Sequence, residues 1–346
     1  MAYEKPKLSF NQIDKAGRTL LDGPKNWDAY FESADAILDW RAAHSYPLNA
    51  LHMTLRNRTL KIDPKGFTAQ RLKRYESIIR KLNRNPTMQM SQMQDVGGCR
   101  AVVENIYDLF SLVELYGNRK LTSTISGGKN YIDEPKDDGY RGIHFMYRYK
   151  GKAYSSPWDK LRIELQLRTV LQHSWATAVE TVDAFTREDL KFGMGSDDWR
   201  RFFALVGSMH ANYETTAPVP DTPDSEKELQ REIADLERRL RVVNFLDACA
   251  GVTQHILGRN NYRYSVYVLE LKPEERKTII YRYTETQRDK ADTKSAELEK
   301  QHKKSSNLVV QVSAHSLSEL KRAYPNYFAD TRYFVSTLTS FLKNPL

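Results

Sequence analysis

A change of hydrophobic period within one stretch is the feature that most restricts the fold of this chain. In LRIELQLRT, residues 161–169, apolar side chains alternate with long polar ones, which predicts a strand with one buried face. The next residues, VLQHSWATAVETVDAF, carry apolar residues at helical spacing and predict a helix. A strand that leads directly into a helix favours an α/β core over a helical bundle or a β-sandwich.

Further runs extend this pattern towards the N-terminus. The runs that predict helices are residues 26–43, 48–60, 74–82 and 105–116, and those that predict strands are 66–73, 96–103, 121–126 and 142–150. Together with residues 161–169 they give five strands. We therefore predict an α/β (α+β) fold with a mixed five-stranded sheet and helices.

A proline-rich stretch, APVPDTPD at residues 217–224, predicts a linker or a loop. After it, residues 226–257 have helical character, and the rest predicts a small ββαβα unit. Its parts are strands at 265–272 and 277–284, a charged helix at 287–304, a strand at 307–314 and a closing helix from Ser316. The predicted segments are therefore 1–216, 217–261 and 262–346.

Composition excludes several classes of protein. No apolar run reaches the length of a membrane helix, and the first residues lack the apolar segment of a signal peptide. The two cysteines, Cys99 and Cys249, lie far apart, which argues against a disulfide scaffold and a thiolate zinc finger. We expect a cytoplasmic protein without a membrane partner.

Positive charge is concentrated in one region. The chain has 53 Lys and Arg against 44 Asp and Glu, a net charge of +9. Residues 56–84 contribute +8 of it, because they hold Asp63, Glu76 and ten basic side chains: Arg56, Arg58, Lys61, Lys65, Arg71, Lys73, Arg74, Arg80, Lys81 and Arg84. Such a band attracts polyphosphate or a nucleic-acid backbone, although a solvated helix face is the alternative.

Within this band, Lys73, Ser77 and Lys81 recur every four residues and share one helix face, with Arg71 just before them. Three cations and a hydroxyl suit a triphosphate.

Two carboxylates are candidate metal ligands. Asp95 precedes a glycine pair and a strand with Arg100, and could hold Mg²⁺ beside phosphate oxygens or simply form a turn. In residues 161–169, alternation places four polar side chains on one face of the predicted strand. They are Arg162, Glu164, Gln166 and Arg168. That face either lines a reaction site or is the outer face of an edge strand. Glu164 is then a second metal ligand or a general base.

A loop before the strand at 142–150 contains Lys136, Tyr140 and His144. Pro135 and Gly139 fix the loop, so Tyr140 either offers an exposed ring for base stacking or covers the core.

In order and spacing, residues 65–185 resemble the synthetase domain of the RelA/SpoT alarmone synthetase family, which moves pyrophosphate from ATP to a ribose 3′-hydroxyl. The resemblance implies a nucleotidyltransferase-like core, magnesium held by Asp95 and Glu164, removal of the hydroxyl proton assisted by Glu164, and the acceptor base stacked on Tyr140. It also implies that Arg71, Lys73, Ser77 and Lys81 hold the ATP phosphates, and that Arg100, Lys136, His144, Gln166 and Arg168 complete the site.

The acceptor loop departs from the family pattern PKxNGYxSLH, since Asp138 replaces Asn and Gly142 replaces Ser. A toxic branch of the family modifies the 3′-terminal adenosine of transfer RNA, and the basic band suits that polyanion. We therefore predict a translation-blocking enzyme that acts on the transfer RNA acceptor end and does not bind DNA. The alternatives are an alarmone synthetase that uses GTP or GDP, and an inactive RNA-binding module.

Residues 262–346 resemble the antitoxin region of fused toxin and antitoxin proteins of the CapRel type, which is zinc-finger-like without metal ligands. The resemblance implies an autoinhibited enzyme that a phage protein releases in antiviral defence. Tyr324, Tyr327 and Phe328 are the predicted regulatory surface, and the alternative is that these aromatic rings belong to the core.

Overall fold

The structure is a computed structural model that describes residues 3–117, 124–151, 153–186, 190, 193–250, 253–257, 264–272, 274–302, 307–314, 316–328 and 330–343. The helices are α1 (Phe10–Asp22), α2 (Trp27–Ala43), α3 (Ser45–Ile62), α4 (Tyr75–Arg84), α5 (Ile106–Gly117), α6 (Val170–Thr186), α7 (Asp197–Tyr213), α8 (Glu226–Leu240), α9 (Val242–Ala250), α10 (Arg288–Gln301), α11 (Leu317–Ala323) and α12 (Arg332–Lys343). The strands are β1 (Phe67–Leu72), β2 (Gly97–Val103), β3 (Thr124–Asn130), β4 (Ile143–Arg148), β5 (Arg162–Thr169), β6 (Thr253–Leu257), β7 (Val266–Lys272), β8 (Lys277–Tyr283) and β9 (Leu308–Ser313).

The strands of the described residues form one mixed sheet in the order β3-β4-β5-β2-β1-β9-β7-β8-β6. The prediction of a five-stranded sheet is therefore wrong in extent, although the first five strands in this order are the five predicted ones. The sheet continues because the outer edge of β1 pairs with β9 at Gln70↔Ser313 and Arg71↔Val312. An unpaired edge leaves backbone donors and acceptors open, and here the C-terminal strands satisfy them.

Alternation along β5 separates two environments, as predicted. Ile163, Leu165 and Leu167 are buried in a core with α3 and α5, and the polar side chains of β5 face the other side of the sheet. On β2, Cys99 and Ala101 join the same core, whereas Val102 packs with the aromatic residues that follow α11. The polar face of the sheet is thus the face on which the C-terminal segment lies.

Two N-terminal helices, α1 and α2, pack against α4. The sequence predicted α2 and α3 but not α1, which begins at a capping box formed by Ser9 and Gln12. Ile13 of α1 and Ile37 of α2 share a core with Ile78 and Leu82 of α4. This packing fixes the helix that carries the predicted phosphate-binding residues.

The predicted linker at 217–224 is a loop packed on α7. Val219 is buried and its N–H donates to Ser208 Oγ at 2.8 Å, while Arg141 Nη1 donates to the Ala217 carbonyl at 2.7 Å. The helix expected over 226–257 is also interrupted. It breaks at Arg241, whose φ is 50°, and residues 253–257 form β6.

The C-terminal elements β7, β8, α10, β9 and α11 follow one another in the predicted order. One hydrophobic core nevertheless takes residues from all three predicted segments, including Phe203 of α7, Leu246 of α9 and Phe334 of α12. The division into domains and the zinc-finger-like character of the last segment stay predictions. Across the described residues, no helix is both long and apolar enough to cross a membrane.

Candidate active site

The polar face of β5 holds Glu164 between two partners. His144 Nδ1 lies 3.1 Å from one carboxylate oxygen, and Gln166 Nε2 donates to the other at 2.8 Å. Burial raises the pKa of Glu164, but the hydrogen bonds of His144 and Gln166 outweigh burial and the pKa is lowered. Glu164 is therefore ionised at neutral pH and held in a fixed orientation.

Asp95 lies between two lysines of the predicted triphosphate site. Lys73 Nζ and Lys81 Nζ each lie 2.9 Å from a different oxygen of the carboxylate. Burial raises the pKa of Asp95, and the two ammonium groups more than offset this, so the pKa is lowered. The helix begins only at Tyr75, so Lys73 lies before α4 and the predicted helix face of Lys73, Ser77 and Lys81 is incomplete. Lys73 and Lys81 nevertheless both reach one carboxylate.

The donor set fits magnesium only together with a substrate. No group of three or more His, Cys, Asp or Glu that could hold a metal occurs among the described residues. Mg²⁺ commonly uses one or two carboxylates and completes its shell with waters and phosphate oxygens. The negative charge of Asp95 raises the pKa of Glu164, so the two carboxylates share one region of the site.

The loop tyrosine is half-buried, which lies between the exposed ring and the core ring that the sequence leaves open. Tyr140 Oη accepts from Arg168 Nη2 at 2.8 Å and lies 2.5 Å from His144 Nε2. Its ring packs near Trp175, and Lys136 Nζ lies 5.2 Å from the ring centroid. His144 thereby connects Tyr140 to Glu164 through its two ring nitrogens.

Glycine is required beside Tyr140. Gly139 has a φ of +91°, and a Cβ there would lie 2.4 Å from the Phe203 carbonyl oxygen. The two residues that depart from the family pattern make contacts within the loop and with the neighbouring strand. Asp138 accepts a hydrogen bond from the Tyr140 N–H at 2.8 Å, and a Cβ on Gly142 would lie 3.2 Å from the Leu167 carbonyl oxygen.

The segment after α11 covers the remaining predicted cations. Arg100 Nη2 donates to the Ala323 carbonyl at 2.9 Å, and its guanidinium lies 5.7 Å from the Tyr324 ring centroid. Tyr324 Oη donates to the Gln70 carbonyl at 2.7 Å. Burial and the nearby Arg168 lower the pKa of Arg100 to about 10. Tyr324, Tyr327 and Phe328 are all buried in one hydrophobic cluster, as the core interpretation of these rings predicts.

The structure places Arg71 beside this segment as well. Tyr327 and Tyr324 are close enough to the Arg71 guanidinium to influence its pKa, as is Glu180 of α6. Ser77 occupies the first turn of α4. The predicted site residues therefore converge on one face of the sheet, in two groups: the carboxylates with their partners, and the cations beneath the C-terminal segment.

Sequence reasoning missed Arg41 of α2. Its Nε donates to the Lys73 carbonyl at 2.7 Å, at the start of α4. Arg41 belongs to a helix that the sequence predicts only as a packing helix. A single arginine there has no pattern that would mark it as part of a site. The basic band itself is divided: Arg58 stacks on Tyr116 at 4.4 Å, whereas Lys61 and Lys65 are exposed.

Comparison with known proteins identifies the segment that carries these residues. The family described as a region found in RelA / SpoT proteins matches residues 70–184. The GTP pyrophosphokinases YjbM and YwaC of Bacillus subtilis are 32% and 28% identical over 116 and 120 residues, about 33% of this chain. The matches cover 54% and 56% of those proteins, so the chain spans about half the length of the curated relatives it matches.

Among solved structures, small alarmone synthetase 2 from Bacillus subtilis aligns with 51% of this chain and 95% of its own, at 21% identity and a TM-score of 0.44. The matched segment 70–184 contains all the predicted catalytic and nucleotide-binding residues. The resemblance of this segment to RelA/SpoT proteins is confirmed, while the toxic branch and the CapRel-like tail stay predictions.

Proposed function

We propose that this chain is a magnesium-dependent pyrophosphokinase, a transferase that moves pyrophosphate from ATP to a ribose 3′-hydroxyl. The observation that carries the proposal is the pairing of Asp95 with Lys73 and Lys81, next to an ionised Glu164. Cationic and anionic side chains next to each other suit this reaction, because its catalysis rests on positioning and electrostatic stabilisation of the phosphoryl group. The RelA / SpoT match over 70–184 supports the assignment.

Each group of side chains has a role in that reaction. Arg71, Lys73, Ser77 and Lys81 bind the triphosphate. Magnesium, when bound by Asp95 and Glu164, neutralises phosphate charge. Glu164 accepts the proton of the attacking hydroxyl, and His144 holds both that carboxylate and Tyr140, so that the acceptor base and the base catalyst keep one relative position.

For the acceptor we propose the 3′-terminal adenosine of transfer RNA, with inhibition of translation as the consequence. Two exposed lysines, Lys61 in the last turn of α3 and Lys65 between α3 and β1, support a polyanionic acceptor, because a ribonucleotide needs no cations beyond its own site. Asp138 in the acceptor loop places a negative charge where the family usually has an amide. The names of YjbM and YwaC favour the second candidate, an alarmone synthetase that uses GTP or GDP.

Labelled ATP separates the two acceptors. The full chain is incubated with ATP labelled at the γ-phosphate and with transfer RNA, GTP or GDP. We expect label in intact transfer RNA and none in transfer RNA whose 3′-terminal ribose was oxidised with periodate beforehand, because oxidation destroys the 3′-hydroxyl. Label in GTP or GDP alone would assign the second candidate. Label in no acceptor, from the wild type and from Tyr324→Phe alike, would reject pyrophosphate transfer, because that variant weakens docking of the C-terminal segment.

We further propose that the C-terminal region inhibits this site and that a partner, in antiviral defence a phage protein, releases it. Tyr324 and Ala323 contact Arg100 and Gln70 across more than 220 positions of sequence. A docked segment can act as a switch only if the closed state is a few kcal/mol more stable than the open one. The cytoplasmic location stays an expectation.

A further inference from the structure

An acidic side chain of the C-terminal region lies against the helix that carries the proposed triphosphate site. Glu299 of α10 and Arg41 of α2 lie 3.9 Å apart, O to N, and their side chains are 12% and 15% exposed. Because Arg41 Nε also donates to the Lys73 carbonyl, its guanidinium is fixed at the start of α4. A carboxylate from residue 299 is thus held beside the first turn of α4.

The start of α4 has no cap of its own. Arg74 at the N-cap position is extended, and no side chain of that position caps the helix. Burial and the negative charge of Glu76 raise the pKa of Glu299, and Arg41, Arg74 and the backbone amide of Tyr75 only partly offset this rise. The nearby positive groups therefore belong to two arginines and a helix N-terminus, a combination that attracts anions.

Glu299 fills this position poorly. Its Oε1 is buried and has no hydrogen-bond partner, and Arg41 stands too far away for a direct hydrogen bond. A buried carboxylate that lacks a full set of donors is costly to keep in place. A phosphate group carries more charge and more acceptor oxygens, and could use both arginines and the helix amides together.

We propose that Arg41, Arg74 and the N-terminal amides of α4 form a phosphate-binding site, and that Glu299 occupies it as an internal carboxylate while α10 is docked. The inference rests on the proposed function, because α4 also carries Ser77 and Lys81 of the proposed triphosphate site. Phosphate binds here only after Glu299 leaves, so phosphate binding and docking of α10 compete. Glu299 comes from α10, whereas Tyr324 and Tyr327 follow α11, and Tyr327 lies close enough to Arg74 and Glu299 for both to act on its pKa.

Removal of the carboxylate tests the site directly. Glu299→Ala in the full chain leaves a gap lined by the same cations, and inorganic phosphate is the probe. Glu297→Ala is the matched control, because Glu297 lies on the same helix, is 62% exposed and pairs with Lys294. Thermal unfolding is followed against phosphate concentration at constant ionic strength, and the dissociation constant is taken from the shift.

We expect phosphate to bind Glu299→Ala about tenfold more tightly than it binds Glu297→Ala, the effect of one charge-assisted hydrogen bond. Adding Arg41→Gln to Glu299→Ala should abolish the difference. Equal phosphate affinity in the two single variants, or a gain that survives Arg41→Gln, would overturn the site. Glu299→Ser makes a similar gap and replaces the alanine variant if that variant does not fold. Because no turnover is measured, failure here and failure of pyrophosphate transfer are separate results.

Discussion

Removal of one hydroxyl group, in Tyr324→Phe, tests whether the C-terminal segment controls the active site. Tyr324 Oη donates to the Gln70 carbonyl at 2.7 Å, and the side chain is 2% exposed. Loss of such a bond costs about 1 kcal/mol. If the bond exists only in the docked state, the ratio of open to docked molecules rises about fivefold. Tyr324→Ala is less informative, because deletion of a buried aromatic ring costs ~3–5 kcal/mol and can unfold the chain.

The assay has two readouts, the apparent affinity for ATP and the basal rate of label transfer from ATP. Both should rise about fivefold, because ATP binds the open fraction and the measured affinity scales with that fraction. Tyr333→Phe is the matched control: this tyrosine lies on α12 in the same region and is 51% exposed. We expect it to leave both readouts unchanged.

The reasoning is refuted if Tyr324→Phe lowers the free energy of unfolding by about 1 kcal/mol while ATP affinity and basal rate stay at wild-type values. That result would mean that the bond stabilises the fold in open and docked molecules alike. Tyr324 would then be an ordinary core residue.

Three further predictions concern the carboxylates and the basic band. Glu164→Gln should abolish label transfer without loss of stability, whereas the exposed control Glu104→Gln should keep the wild-type rate; retained transfer in Glu164→Gln would disprove its role. The folded-state pKa of Asp95 is depressed, so its ionised form adds stability above the unfolded value of about 4, and this stability is lost as pH falls through the folded value. Urea unfolding from pH 6 to 3 should therefore show a smaller loss of stability for Asp95→Asn than for the wild type, and identical pH profiles would contradict the shift. Charge reversal at Lys61 and Lys65 should weaken transfer RNA binding and flatten its salt dependence while ATP affinity stays the same, and an unchanged salt slope would reject an RNA contact there.

Local pattern predicted the parts of the site that depend on neighbours in the chain. The alternation around Glu164 and Gln166 placed both on one face of β5, and they are hydrogen-bonded to each other. Ser77 and Lys81 lie one turn apart on α4 as the helical spacing predicts, whereas Lys73 precedes the helix and reaches Asp95 from between β1 and α4. Such predictions succeed because the periods of strands and helices are properties of the local backbone.

The exposure of a side chain is a different matter. For Tyr140 and Tyr324 the sequence leaves an exposed and a buried position open; in the structure the first is half-buried against α6 and the second is fully covered. An aromatic residue in a loop has no period to show which of its sides is covered. Its environment depends on the elements that pack over it.

By itself, the sequence determined the α/β class, most strand and helix positions in residues 26–186, and which polar side chains share a face. Only the tertiary structure decided that β9 extends the sheet at β1, that Tyr324 reaches Gln70 across 254 positions, and that Glu299 meets Arg41. The physical reason is that a strand edge, an uncapped helix or a buried cation can be satisfied by any suitable segment of the chain. Which segment does so depends on the packing of the whole molecule.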